Sequence, residues 1–265
     1  MIMRREIGWL VAQAYAVSGR RALACRRCRR ERMVVPALFH GPSPELLDAV
    51  LGWLRKAVGL DQVELTFDDG RLVLKNCVPV LERYGIKAVF FISPGETLRG
   101  CNWAESDAAR QCGFHELCRL PAEERYAMLA AHGLRNRTDE LLSVDDVRSL
   151  SKHPLVEFGN HTWSHMSCSS RPAAEALDEI DRAQRQIEEW TGRAPTKFSY
   201  PFGHSTGELD EAVRARGLVP YGLRPGLAPG HCDGRFRNMA YEGMTLSENL
   251  GRLMCAWPRV RRMPS

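Results

Sequence analysis

The chain of 265 residues is 44% hydrophobic and 26% charged, a balance that excludes a disordered chain, a collagen-like repeat and a polytopic membrane protein. At this length folding buries roughly 70–75% of the unfolded surface, so a core forms without disulfide staples. The net charge of +5 is uneven: residues 1–33 hold nine arginines against Glu6 and Glu31, a net of +7, and the rest of the chain is at −2.

In chain order, Arg4-Arg5 and the apolar run from Ile7 to Val17 have the outline of a signal peptide, but Arg20-Arg21 interrupt it where cleavage would fall. Eleven largely apolar residues also fall short of the ~20 that span a bilayer. We read residues 6–24 as an amphipathic helix, docked on the body or lying on an anionic membrane surface, within a basic helical extension of residues 1–32. Cys25-Arg26-Arg27-Cys28 fits half of a zinc site or a redox pair, yet no second pair follows at zinc-finger distance. Nine cysteines without framework spacing point to a reducing compartment, and so to a cytoplasmic protein.

From Met33 short apolar runs alternate with helical stretches, the pattern of repeated β–α units. Strands are expected at Val34–Phe39, Val63–Phe67, Ala88–Ile92, Val156–Phe158, Lys197–Tyr200, Leu218–Gly222 and Phe236–Ala240. Helices are expected at Pro44–Val58, Val73–Tyr84, Val144–Leu150, Pro172–Thr191, Thr206–Arg216 and Leu246–Met254. Between the third and fourth strands, residues 95–142 read as a lid-like insertion, with Trp103, Phe114 and His115 as candidate substrate contacts.

Three strand ends carry chemistry. Val63–Phe67 feeds Asp68-Asp69-Gly70. A polar turn is one reading, but adjacent carboxylates at a strand end repel unless a cation or a proton lies between them. Phe158-Gly159-Asn160 leads into His161-Thr162-Trp163-Ser164-His165; if that segment opens a helix, its spacing puts both imidazoles on one face. Two imidazoles and a carboxylate make a three-ligand site with open positions, suited to Zn2+ or another late divalent metal, although His pairs also arise by chance. The third strand end, Phe198-Ser199-Tyr200-Pro201-Phe202-Gly203, reads by itself as a tight turn.

Together, Thr66–Gly70, His161–His165 and Tyr200–Gly203 resemble the first three motifs of the polysaccharide deacetylase family, carbohydrate esterase family 4, in the family's order over roughly residues 33–250. The resemblance implies an α/β fold, a distorted (β/α)7-type barrel over 33–265, that hydrolyses an N-acetyl or O-acetyl group from a sugar with one divalent metal ion. It implies Asp69, His161 and His165 as metal ligands and Asp68 as general base. The motif at Tyr200–Gly203 would contact substrate and offer the Phe202 N–H to the oxyanion. Ser199 stands where many members have an arginine that holds the base. The family's general acid usually lies in a Leu-x-His element near the C-terminus, where His231 has the wrong context. Ala37-Leu38-Phe39-His40 matches the circularly permuted members instead, which makes His40 the acid.

The partner implied is an N-acetylated sugar, whether nucleotide-, lipid- or polymer-linked, with peripheral contact at the inner membrane face through residues 1–32 and no nucleic acid. Two rival readings remain open at this point. One is a two-His-one-carboxylate metal oxygenase, which normally shows a His-x-Asp order on a β-sandwich. The other is a non-catalytic carbohydrate-binding member of the same family, suggested by Ser199.

Overall fold

The structure is a computed structural model and describes residues 20–135, 140–229, 234 and 236–255. The expected helix over 6–24 lies almost wholly outside the described residues. From Arg20 the chain is helical, so the Cys25–Cys28 pair sits on α1 (Arg20–Glu31). Helices and strands then alternate: β1 (Met33–Phe39), α2 (Pro44–Ala57), β2 (Val63–Phe67), α3 (Leu74–Tyr84) and β3 (Ala88–Ile92). The insertion contributes α4 (Pro94–Arg99), α5 (Asp107–Cys112), α6 (Phe114–Arg119) and α7 (Ala122–Ala131). The barrel resumes with α8 (Val144–Leu150), β4 (Val156–Asn160), α9 (Ala173–Thr191), β5 (Lys197–Ser199), α10 (Gly207–Ala215) and β6 (Val219–Tyr221). Two short strands, β7 (Ala228–Pro229) and β8 (Asn238–Met239), precede α11 (Leu246–Leu253).

The helices begin and end where local chemistry dictates. Ser43 caps α2 by accepting from the Leu46 N–H, with Pro44 following at the first helical position. Leu47, Val50, Leu51 and Leu54 then recur at helical spacing and are buried. Along α9, Ala176, Ile180, Ala183, Ile187 and Trp190 form the same kind of stripe, and Gly192 ends it at φ 70°. β3 is buried at every residue, as befits a parallel strand covered on both faces.

The sheet runs β6-β5-β4-β3-β2-β1, all parallel, and the outer edge of β1 is shared. β8 pairs parallel beside Ala37 and Leu38, while β7 pairs antiparallel beside Met33 and Val34. Backbone bonds from Gly222 to Gly234 (3.3 Å) and from Arg237 to Arg224 (2.9 Å) draw the β6 end toward the β8 end. The result is the expected distorted (β/α)7-type barrel of seven parallel strands.

The insertion is a packed unit rather than an open loop. Trp103, Ala108, Ala109, Leu117, Cys118 and Leu129 form a small core of their own, against which Phe202 leans. No helix among the described residues is long and apolar enough to cross a membrane.

Candidate active site

Strand register assembles the site. Phe39 pairs with Phe67, and the Asp68 N–H donates to the Phe39 carbonyl at 2.9 Å, so His40 and Asp68 leave adjacent strands side by side. Ile92 pairs with Asn160, and the His161 N–H donates to the Ile92 carbonyl at 3.0 Å. All these side chains stand at the carboxyl ends of parallel strands, where α/β barrels place chemistry.

In the loop after β4 residues 161–165 are not helical, so the two imidazoles do not meet through helical spacing. Side chains tie the backbone down instead. Asn160 Oδ1 accepts from the Thr162 N–H (2.9 Å), Thr162 Oγ1 from the Met166 N–H (2.9 Å), and Glu179 from both the N–H and the hydroxyl of Ser164. Asp69, Thr162, His165 and Phe202 all adopt left-handed backbone with φ between 51° and 71°. For non-glycine residues this costs roughly 1–3 kcal/mol each, strain that clusters where side chains must be aimed.

Aimed they are. Asp69 Oδ1 lies 3.5 Å from His161 Nε2 and 3.1 Å from His165 Nε2, with all three residues buried. His161 Nδ1 is 2.7 Å from the Ser199 carbonyl, which only accepts, so the ring donates there and turns the Nε2 lone pair inward. Burial pushes His165 below its ordinary pKa, partly offset by Asp69. A carboxylate and two imidazole lone pairs converging in a buried pocket fit a divalent metal ion of the late transition series.

Asp68 is held from two sides. Arg237 Nη1 donates to Asp68 Oδ1 at 2.7 Å, Ser199 Oγ donates to Oδ2 at 3.1 Å, and Arg237 Nη2 donates to Ser199 Oγ at 2.8 Å. Burial pushes the Asp68 carboxyl up; the Arg237 charge outweighs it with help from His161 and His40, so the group lies below its ordinary value. Sequence reasoning missed Arg237. It sits within the expected last strand, 169 positions from Asp68, and it supplies the guanidinium that Ser199 lacks. A lone arginine in an otherwise strand-like stretch was the one available signal.

A cavity of about 210 Å3 over the triad is lined by His40, Asp68, Asp69, His161, His165 and Phe202, together with residues of the insertion. His40 also borders a wider groove of about 800 Å3 that reaches Arg71, Lys75 and Tyr241. The Phe202 ring packs against His165 at 4.7 Å. Tyr200 is not part of this pocket; it is buried in a cluster with Phe198, Leu209 and Val213. The expected contacts Trp103, Phe114 and His115 do not line it either. Asn102, Ala104 and Glu105 do, and Glu105 pairs with Arg71, whose guanidinium is 4.0 Å from Asp69.

Trp103 has a different task. Its indole N–H reaches the carbonyls of Ser164 (3.1 Å) and His165 (3.2 Å). Arg125, fully buried against that indole, donates to the Ser164 carbonyl (2.9 Å) and hydroxyl (2.7 Å). The insertion therefore grips the backbone of a metal-ligand loop.

A family model described as polysaccharide deacetylase matches residues 55–221. The chain belongs to the polysaccharide deacetylase family. A polysaccharide deacetylase from Bacillus cereus superposes with a TM-score of 0.57 at 14% identity, covering 83% of this chain and 69% of that one. The Streptococcus pyogenes deacetylase PplD, solved with acetate, gives 0.57 at 16%, covering 83% and 98%. IcaB from Ammonifex degensii gives 0.56 at 18%, covering 83% and 96%. At these identities the likeness is one of fold. As a polysaccharide deacetylase the chain is a metal-dependent hydrolase acting on acetylated carbohydrate. Its parallel barrel is not the β-sandwich of the oxygenase reading. The family match begins after His40 and ends before Arg237.

Proposed function

We propose that this deacetylase removes the N-acetyl group of an amino sugar, carried on a nucleotide, a lipid or a growing polymer, during glycan biosynthesis in a reducing, cytoplasmic setting. The free thiols of Cys25, Cys28, Cys77, Cys112, Cys118 and Cys168 support the setting. Asp69, His161 and His165 would hold one Zn2+ ion, which when bound polarises the acetyl carbonyl and lowers the pKa of water.

Asp68, ionised beside Arg237, takes the proton of the attacking water. The oxyanion that forms at the acetyl carbon would be met by the Phe202 N–H; Phe202 lines the pocket and sits in left-handed backbone within the turn Pro201–Gly203, which supports this role. His40 gives a proton to the departing sugar nitrogen, so that acetate and a free amine leave rather than an amide anion. Tyr200 contributes by packing under the turn rather than by touching substrate.

One observation carries this reading: a buried carboxylate clamped by Arg237 and Ser199 lies beside a separate carboxylate–imidazole triad. A non-catalytic carbohydrate binder has no use for that clamp. The test is metal analysis of the purified protein, then acetate release from nucleotide-linked, lipid-linked and polymeric N-acetylhexosamines. Stoichiometric zinc with release from one class is the expected result. Protein that binds zinc yet releases acetate from none of them would overturn the proposal.

A further inference from the structure

α1 has two opposed faces. Arg21, Ala24, Cys25 and Cys28, spaced three and four apart, form the stripe turned to the body; both cysteines are buried in the main core and Arg21 stacks over Trp53 at 5.4 Å. Leu23, Arg26, Arg27 and Arg30 repeat that spacing about 200° away at 100° per residue. This second stripe is exposed: Leu23 is 61% accessible, and the Arg27 and Arg30 side chains are 61% and 78% accessible.

Charge on this face is not balanced. Arg29 flanks it, Arg32 lies just past the helix and pairs with Asp61 at 3.8 Å, and Glu31 is the acidic residue of the helix, shared by Arg27 (2.8 Å) and Arg30 (2.7 Å). Arg26 and Arg29 have no acidic partner among the described residues. Cations in the last helical turn complement the helix dipole, which accounts for Arg29 and Arg30. It does not account for Arg26 and Arg27, nor for an exposed leucine in the same stripe.

We propose that the outer face of α1 docks the enzyme on an anionic lipid bilayer, the arginines pairing with headgroup phosphates and Leu23 entering the boundary of the acyl chains. An anionic bilayer suits both parts of the stripe, whereas a nucleic-acid backbone offers the leucine nothing. The apolar sequence from Ile7 to Val17 lies just upstream of the same helix. Docking here leaves the catalytic pocket open, because α1 joins the near end of β1 and His40 follows its far end, roughly 23 Å away at 3.3 Å per residue.

The test is co-sedimentation of the full chain with phosphatidylcholine vesicles, with and without phosphatidylglycerol, alongside a gel shift with duplex DNA and with RNA. The expected result is salt-sensitive binding to the phosphatidylglycerol vesicles alone. Binding should weaken about 5-fold for each arginine removed, so roughly 100-fold in the triple variant R26Q/R27Q/R30Q. Leu23→Ser should weaken it without changing the charge. Both variants should keep wild-type melting temperature and acetate release from a water-soluble substrate. Equal binding by the triple variant, equal binding to phosphatidylcholine alone, or retention by nucleic acid in place of vesicles would overturn the proposal.

Discussion

Asp68 and Asp69 are neighbours in sequence with separate partners, Arg237 and Ser199 for the first and the two imidazoles for the second. Asp68→Asn should keep the metal but lose about 10²–10⁴ in acetate release, the usual worth of a general base. His161→Ala should lose both, as metal analysis of the same preparations would show. Arg237→Met strips a buried carboxylate of its guanidinium, which typically costs ~3–5 kcal/mol of stability. Because Arg237 holds the Asp68 carboxyl down, its loss should move the acidic limb of the kcat/KM profile to higher pH. A profile unmoved by this change would take Arg237 out of the site. Asp68, Asp69, His161 and His165 were legible in the sequence because their short motifs together resemble those of a known family, although the Asp pair or the His pair by itself left other readings open. Arg237 was not, since its meaning depends on a pairing between β1 and β8 across nearly the whole chain.

Among the elements, the insertion is where expectation and structure differ most usefully. A stretch read as a lid proves to hold the His165 loop through Trp103 and Arg125. The buried aromatic taken for a substrate contact is thus a strut, and only burial, which sequence spacing does not reveal between short helices, tells the two apart. Glu96, on α4, belongs to this network: it accepts from the Trp103 N–H at 2.9 Å, and burial pushes its pKa up to about 8. The folded protein therefore holds a proton there that the unfolded chain releases near pH 4.5. The stability tied to that proton is complete below pH 4.5 and is lost as pH rises through about 8. Glu96→Gln should melt within a few degrees of wild type at pH 6 and above it at pH 9, as scanning calorimetry would show. The same melting curve at both pH values for both proteins would mean the carboxyl is ionised throughout.

At the scale of the molecule, alternating β–α patterning was enough to give an α/β fold, because parallel strands buried on both faces read as plain apolar runs, while the barrel followed from the family resemblance. β8 falls within the expected strand Phe236–Ala240, whereas the two-residue β7 was not seen: its pairing is decided by the edge of β1, not by its own sequence. A metal shared by β2 and the loop after β4 should also tie the barrel together. Saturating zinc at ~100 times its Kd should add about 2.7 kcal/mol over chelated protein, read as a rise in Tm. No rise on adding zinc would mean that the triad does not bind it in the folded state.

The span that matches the family holds Asp68 and the Asp69–His161–His165 cluster, while His40 comes from one flank of the chain and Arg237 from the other. A ribosome building this protein therefore releases the metal-gripping part long before the clamp. Until residue 237 has emerged and folded back beside β1, the Asp68 carboxylate has the Ser199 hydroxyl but no guanidinium to steady it, so on the proposed mechanism hydrolysis waits for that late pairing.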